Sequence, residues 1–404
     1  EDNDPFDDVS YGHGTGQAED SSAEAANGGG VGTAPNTMFI PVKVGDSFVS
    51  DMNDFAKGVV FAVDSGVAVI QEANGSLDNT PSAQQAIDYA YAKGVPVIAS
   101  AADEESYHHN YPSNYNHTIP VNSVRAQDGT MVTDKTYLLL NGCTNYGGHN
   151  VHVSIPSNSC SSEATGRGAG IAALMVAQAR NLVDRGLLAN HPVIGTALSA
   201  NEVKQILAVT ADDIDFSGNL TLHKDPSVIV SQLTSSRFPS HAGRDKYFGY
   251  GRVNADRAVR EISATTIPPE ADIVAPGWFH NLDPTVTPAV AITGSVAAYR
   301  RAQSYTYVVE YGCGVDPLEA EFQRGGHVIA SGAPGVALEN ALLATWAIGG
   351  VSADCAFNAI VLPVSDRDQF DEIFNVTIRV QVTDDLGNVG EDRKVVSVHH
   401  DPDV

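Results

Sequence analysis

An α/β domain with a parallel sheet covered by helices on both faces, followed by a C-terminal antiparallel β-sandwich domain, is the fold the sequence predicts. Three observations carry this expectation. Apolar runs alternate with helical patterns from about residue 38 to residue 210, the rhythm of a sheet buried on both faces. Ile267-Pro268-Pro269 then forms a stiff linker. Beyond it the segments become alternating and rich in Thr and Val, with turn signals such as Asp385-Leu386-Gly387-Asn388. At 404 residues the chain exceeds what one ordinary core holds, and the expected domains are residues 1–264 and 265–404.

Taken in order, residues 1–36 are polar and Gly-rich and carry Gly12-His13-Gly14-Thr15-Gly16. The run 38–44 reads as a buried strand, 51–65 as a helix, 67–71 as a strand, 82–93 as a helix and 95–100 as a strand. A β-rich stretch follows (119–124, 138–140, 151–155), then a long Ala-rich helix over 162–188 and another over 200–210. Residues 216–246 have the composition of a surface insertion. In the second domain 376–382 reads as a strand and 336–347 as a short helix.

Forty-nine acidic against 23 basic residues give a net charge of −26, which argues against nucleic acid as a partner. No apolar run approaches the ~18 residues of a membrane span. The acidic start Glu1-Asp2-Asn3-Asp4 is no signal peptide, so a targeting segment would already be gone. Cys143, Cys160, Cys313 and Cys355 fall as two pairs without metal-type C-x-x-C spacing, as expected for two disulfides of a secreted, extracellular or periplasmic protein. No cofactor is required by any motif. Calcium is a candidate ligand for acidic clusters such as Asp212-Asp213-Ile214-Asp215, which have no recognised loop signature and read equally as a solvated face.

The chemistry concentrates in three stretches. Cys160-Ser161-Ser162-Glu163 opens directly onto the long helix, where a serine has an exposed Oγ and a free N–H beside the positive end of the helix dipole. That is what a nucleophile with its own oxyanion donor needs, although serine is also a common helix cap. A histidine between two glycines in a polar segment has no core to fill. The apolar strand ending at Ser100 breaks into Ala101-Ala102-Asp103-Glu104, and parallel-sheet proteins place their sites at such strand ends.

Over roughly residues 9–262 the order of these motifs resembles the subtilisin-like serine proteases. Gly12-His13-Gly14-Thr15 resembles the family's histidine motif. Asn74-Gly75-Ser76-Leu77 resembles the strand edge that pairs with bound peptide, and Ala101-Ala102 the second wall of the specificity pocket, ending at the oxyanion position, Asp103. Asn145-Tyr146-Gly147 and Gly249-Tyr250-Gly251-Arg252-Val253-Asn254 match later landmarks. Counting back eight residues from Gly170 places the nucleophile at Ser162. The resemblance implies that Ser162 attacks a peptide carbonyl while His13 takes its proton and returns it to the leaving amine. Peptide or protein would be the substrate, and acidic residues Glu72, Asp78, Asp103 and Glu104 would line a rim favouring basic side chains.

Three departures bear on activity. Asp103 stands where an amide normally donates to the oxyanion. Gly166 stands where proline is expected after the nucleophile, and Gly16 replaces a second histidine. The family's catalytic aspartate lies on a strand upstream of the histidine, whereas only Asp4, Asp7 and Asp8 are available here, with no apolar strand to hold them. The chain is therefore expected to be a processed fragment, with a separate N-terminal companion segment supplying the missing strand and aspartate. The alternative is a weakly active or inactive scaffold of the same fold. An esterase finds no Gly-x-Ser-x-Gly elbow.

Overall fold

The computed structural model describes residues 7, 12–47, 49–126, 137–147, 151–216, 238–278, 280–301, 304–357 and 374–400. The chain divides into two compact units, Glu1–Ala264 and Thr265–Val404.

The first unit is built on a five-stranded sheet: β1 (Ile70–Glu72), β2 (Val97–Ser100), β3 (Thr118–Arg125), β4 (Leu139–Leu140) and β5 (Val153–Pro156). β1, β2 and β3 are parallel neighbours, with Ile70 opposite Val97 and Val97 opposite Thr118. β5 joins β3 in parallel and β4 pairs with it antiparallel. β2, β3 and β5 are buried almost throughout because helices cover the sheet, whereas β1, Ile-Gln-Glu, is only partly buried. Those helices are α1 (His13–Ser22), α2 (Met52–Asp64), α3 (Pro81–Ala92), α4 (Ser161–Asp184), α5 (Ala200–Thr210) and α6 (Ala255–Arg260).

Local chemistry sets their ends. The Asp51 carboxylate caps α2 through the Asn53 N–H, Thr80 caps α3 ahead of Pro81, and Ser199 and Glu202 form a reciprocal capping box on α5. α4 runs against β1, β2, β3 and β5, and Gly168 faces Ile98 and Ile155, with a Cβ there reaching them at 3.4–3.6 Å, ordinary contact. It stops at Asp184 rather than near residue 188, because Gly186 turns the chain in the left-handed region at φ +68°.

Two expectations for this unit are corrected. Residues 38–44 form no strand, and Met38 is 93% exposed with Phe39 and Ile40 partly so. A strand needs a partner ladder, and among the described residues none pairs with this run. Conversely, the polar segment around His13 contains a helix, α1, although its composition is poor for one. Its N-cap is Gly12, which has no side chain to offer, and the Asp7 carboxylate substitutes by accepting the Thr15 N–H at 2.8 Å. The expected insertion lies mostly outside the described residues, at 217–237.

The second unit contains two antiparallel sheets. β6 (Glu270–Ala275), β7 (Ala289–Ala297) and β10 (Leu338–Ala347) form one, in the order β10-β7-β6. β8 (Thr306–Cys313), β9 (Val328–Gly332), β11 (Asn375–Thr383) and β12 (Val389–Ser397) form the other, in the order β12-β11-β8-β9. Short helices α7 (Glu319–Phe322) and α8 (Val351–Asp354) complete it. One core, including Ile292, Val296, Trp346, Val309, Ile378 and Val380, draws on both sheets, which is the packing of a β-sandwich. The helix expected over 336–347 is β10 instead: its pairing with β7 over the whole length outweighs the Leu- and Ala-rich composition. On the opposite face of β11, Arg379 is buried among Glu310, Glu319 and Glu391 with its guanidinium over the Phe322 ring. Both disulfides form, Cys143–Cys160 in the first unit and Cys313–Cys355 in the second.

Candidate active site

The site lies where β1 and β2 end and α1 and α4 begin. Two glycines of α4 determine how α1 lies on it. A Cβ on Gly166 would stand 2.7 Å from the Gln17 carbonyl oxygen and 2.8 Å from Asp20 Cβ. A Cβ on Gly170 would stand 3.1 Å from the Ser21 carbonyl oxygen. Both contacts carry the same sequence offset (166 − 17 = 149 and 170 − 21 = 149), so the two helices run parallel and in register. Carried one turn toward the helix starts, that offset pairs His13 with Ser162 (162 − 13 = 149).

The two adjacent serines are sharply distinguished. Ser161 is wholly buried; its hydroxyl donates to Asp103 Oδ1 at 2.5 Å and lies 2.6 Å from Ser100 Oγ. Its backbone N–H also donates to Asp103 Oδ1, at 2.8 Å. Ser162, in the first turn of α4, is only partly buried. Of the two hydroxyls, that of Ser161 is engaged inside the protein, and Ser162 is the less buried residue.

The turn before α4 is tightly held. The Ser159 carbonyl accepts from Ser123 Oγ (2.7 Å), Asn141 Nδ2 (2.5 Å) and Ser157 Oγ (2.8 Å). The Cys143–Cys160 bridge fixes the N-cap residue of α4. Asp103 follows Ala102, whose left-handed φ of +72° is unfavourable for a residue with a Cβ and re-aims the chain from the strand toward α4. Asn145 anchors the far side: its N–H donates to the Ala102 carbonyl at 2.8 Å and its amide oxygen accepts from the Glu104 N–H at 2.9 Å. The side-chain amide of Asn145 also donates to the Glu104 carboxylate.

Two carboxylates act electrostatically on His13, Asp103 and Asp7. Burial nonetheless dominates and holds the imidazole below its ordinary range, favouring the neutral form that a general base needs. Burial raises Asp103, opposed by its hydrogen bonds from Ser161. Asp4 and Asp8 lie outside the described residues.

On the substrate side, Asn74 Nδ2 donates to Ser50 Oγ at 2.6 Å, and the Gly75 carbonyl accepts the Ser50 N–H. Ser76 exchanges both backbone hydrogen bonds with Tyr111, and Leu77 is exposed. A docking peptide would therefore meet this segment on its remaining groups. Ala101 is buried, its N–H donating to the Val121 carbonyl of β3, and Ala102 is partly buried. The acidic rim differs from expectation at Glu72, which is buried with its carboxyl pushed well up by desolvation; Asp103 is bonded to Ser161. Glu104 is held by Asn145, and Asp78, Asp103 and Glu104 are all exposed, so three of the four expected rim residues remain at the surface. Of the candidate calcium cluster, Asp212 pairs with Arg252 at 2.7 Å and Asp213 accepts the Gly243 N–H.

Sequence reasoning missed Glu163, Ser100 and the role of Gly166, treated there as a lost proline. The signal was present, since glycines four apart on one helix mark a close helix–helix contact.

The sequence profile of the subtilase family matches residues 1–251. A thermophilic serine proteinase from Bacillus sp. (strain AK1) is 29% identical over 262 residues, covering 61% of this chain and 52% of that protein. Thermitase from Thermoactinomyces vulgaris is 28% identical over 266 residues, covering 64% of this chain and 78% of thermitase. Among solved structures, the prenylagaramide maturation protease PagA aligns with a TM-score of 0.45 at 17% identity, covering 61% of this chain and 81% of that one. The chain spans about half the length of the Bacillus proteinase and some three quarters of thermitase. With the profile extending over more than half of the chain, this protein belongs to the subtilase family.

Proposed function

We propose that the chain is a secreted serine endopeptidase of the subtilisin type, with Ser162 as nucleophile and His13 as general base and then general acid. What supports this is the in-register packing of α1 on α4, whose shared offset puts His13 and Ser162 at corresponding positions of the two first turns, with burial favouring the neutral imidazole and Ser162 partly exposed. The Ser162 N–H, at a helix start, would donate to the oxyanion. A peptide or protein substrate would lie between Asn74–Leu77 and Ala101–Ala102. Hydrolysis of fluorescent casein, abolished by Ser162→Ala and by His13→Ala but not by Ser161→Ala in folded protein, tests this reading; turnover that survives Ser162→Ala refutes it.

The orienting carboxylate would come from a companion segment. Among the described residues β1 pairs with β2 alone, and an edge with unpaired N–H and C=O groups is a template for a further strand. Beside it lies a cavity of about 970 Å³ bounded by the exposed run 38–44, by Ala169 and Gly170 of α4, and by His13 at one end. An extended segment in this slot would pair with β1, cover Met38 and Phe39, and present a side chain to His13. Intact mass and N-terminal sequencing of native material would reveal a second polypeptide; a fully active single chain beginning at Glu1 would dispose of the companion.

A further inference from the structure

We propose that Glu163 is a positioning residue for the Ser162 hydroxyl, acting as a brace that locks the turn 156–159 onto the first turn of α4. The inference rests on Ser162 being the nucleophile, as proposed above. One oxygen of the Glu163 carboxylate accepts the backbone N–H of Ser159 at 2.6 Å and that of Asn158 at 3.1 Å. The other oxygen pairs with Arg167 Nη2 at 2.5 Å, and Arg167 Nη1 donates to the Pro156 carbonyl at 3.0 Å. The chain from the end of β5 to the second turn of α4 is thereby closed on itself, and Ser162 sits inside the closed loop.

The geometry is that of a helix-start glutamate reaching back along the chain, but displaced. Cys160 is the N-cap of α4 and Glu163 its third helical residue, so an ordinary capping box would return to the Cys160 N–H. Here the carboxylate reaches one and two residues further back, to N–H groups that precede the helix. The Ser159 peptide is consequently gripped from both sides. Its carbonyl is held by Ser123, Asn141 and Ser157, its N–H by Glu163. A hydroxyl that must attack along a defined line benefits from this, since small displacements at a reacting atom are costly in rate. From the facing helix α1, Asp20 and Glu19 are the charged groups on this side, and Arg167 is the cation among them.

The test compares Glu163→Ala, Glu163→Gln and Glu163→Asp with the unmodified chain at a temperature where circular dichroism shows all four folded. The readouts are the rate of covalent labelling of Ser162 by a fluorophosphonate and the hydrogen-exchange protection of the Asn158 and Ser159 amides. Glu163→Gln keeps one acceptor oxygen of the same reach for the Ser159 and Asn158 N–H groups while giving up the Arg167 pair, and labelling within about threefold of the unmodified rate, with both amides still protected, is expected. Glu163→Asp keeps the charge at the helix start but falls one methylene short. It should label tenfold or more slowly and lose amide protection, as should Glu163→Ala. Should the alanine variant not fold, the Asp and Gln pair carries the comparison. Labelling of Glu163→Asp at the unmodified rate would overturn the brace, as would slow labelling with the two amides still protected. Failure of the unmodified chain to label, with Glu163-dependent amide protection intact, would instead overturn the nucleophile assignment, and the positioning role with it.

Discussion

Gly166→Ala is the substitution that puts most strain on the proposed site with least chemical change. Its Cβ would arrive 2.7 Å from the Gln17 carbonyl oxygen and 2.8 Å from Asp20 Cβ, both on α1. The first neighbour is backbone and cannot rotate away. Carbon contacts relax to about 3.5–4.0 Å, so α1 has to retreat from α4 by roughly 1 Å. Overpacking of this kind costs about 1–3 kcal/mol, which a unit of this size survives. The consequence for chemistry is larger. His13 begins the helix that must retreat and Ser162 begins the one that stays, and a misplacement of about 1 Å costs on the order of 100-fold in rate. Fluorophosphonate labelling and casein hydrolysis should therefore fall together by about two orders of magnitude, while the far-ultraviolet circular dichroism is unchanged. Labelling at the unmodified rate would mean that the contact between α1 and α4 does not set the distance between imidazole and hydroxyl.

Other outcomes follow from the same geometry. Asp103→Asn retains the acceptor for both Ser161 hydrogen bonds and adds an N–H₂ for the oxyanion; kcat near pH 8 should rise, toward the ~100-fold that one oxyanion donor provides. In the unmodified chain the Asp103 carboxyl, raised by burial, donates only while protonated, whereas His13 accepts a proton only while neutral, so activity should fall away at lower pH on the alkaline side than in Asp103→Asn; identical profiles for the two proteins would refute this. Asp20 is pushed up to about 6 by burial and by Glu163, so the folded state holds its proton after the unfolded chain has lost it, and stability falls as pH rises from about 4 to about 6. Discounted for solvent screening, removing that loss in Asp20→Asn should stabilise the protein above pH 6 by about 1 kcal/mol, read as the urea midpoint. Replacing Cys143 and Cys160 by serine opens a bridge between residues 17 apart and should cost about 3 kcal/mol in the chain-entropy picture, with slower labelling of Ser162 because the N-cap of α4 is freed.

Much of the sheet was legible because periodicity and burial agree there. The apolar runs ending at Ser100 and around Val121 are strands buried on both faces, and their ends mark the site. The count from Gly170 selects Ser162 over its neighbour, and the neighbour, Ser161, is buried and bonded to Asp103. What failed depends on neighbours distant in sequence. Residues 38–44 have strand composition but no ladder to join, and 336–347 has helical composition yet is claimed by β7. α1 is poor in helix formers and is held by Asp7 and by two glycines of α4. The acidic rim was misjudged at one member because charge was counted without burial: Glu72 lies inside the protein, whereas Asp103, though bonded to Ser161, is exposed.

The pairing of two helix starts is tested most directly by identifying the labelled residue. Treatment of the folded chain with a fluorophosphonate, followed by peptide mass mapping, should find the adduct on Ser162, with none on Ser161 and none in His13→Ala. An adduct on Ser161, or one on Ser162 that forms equally fast without the imidazole, would contradict the account.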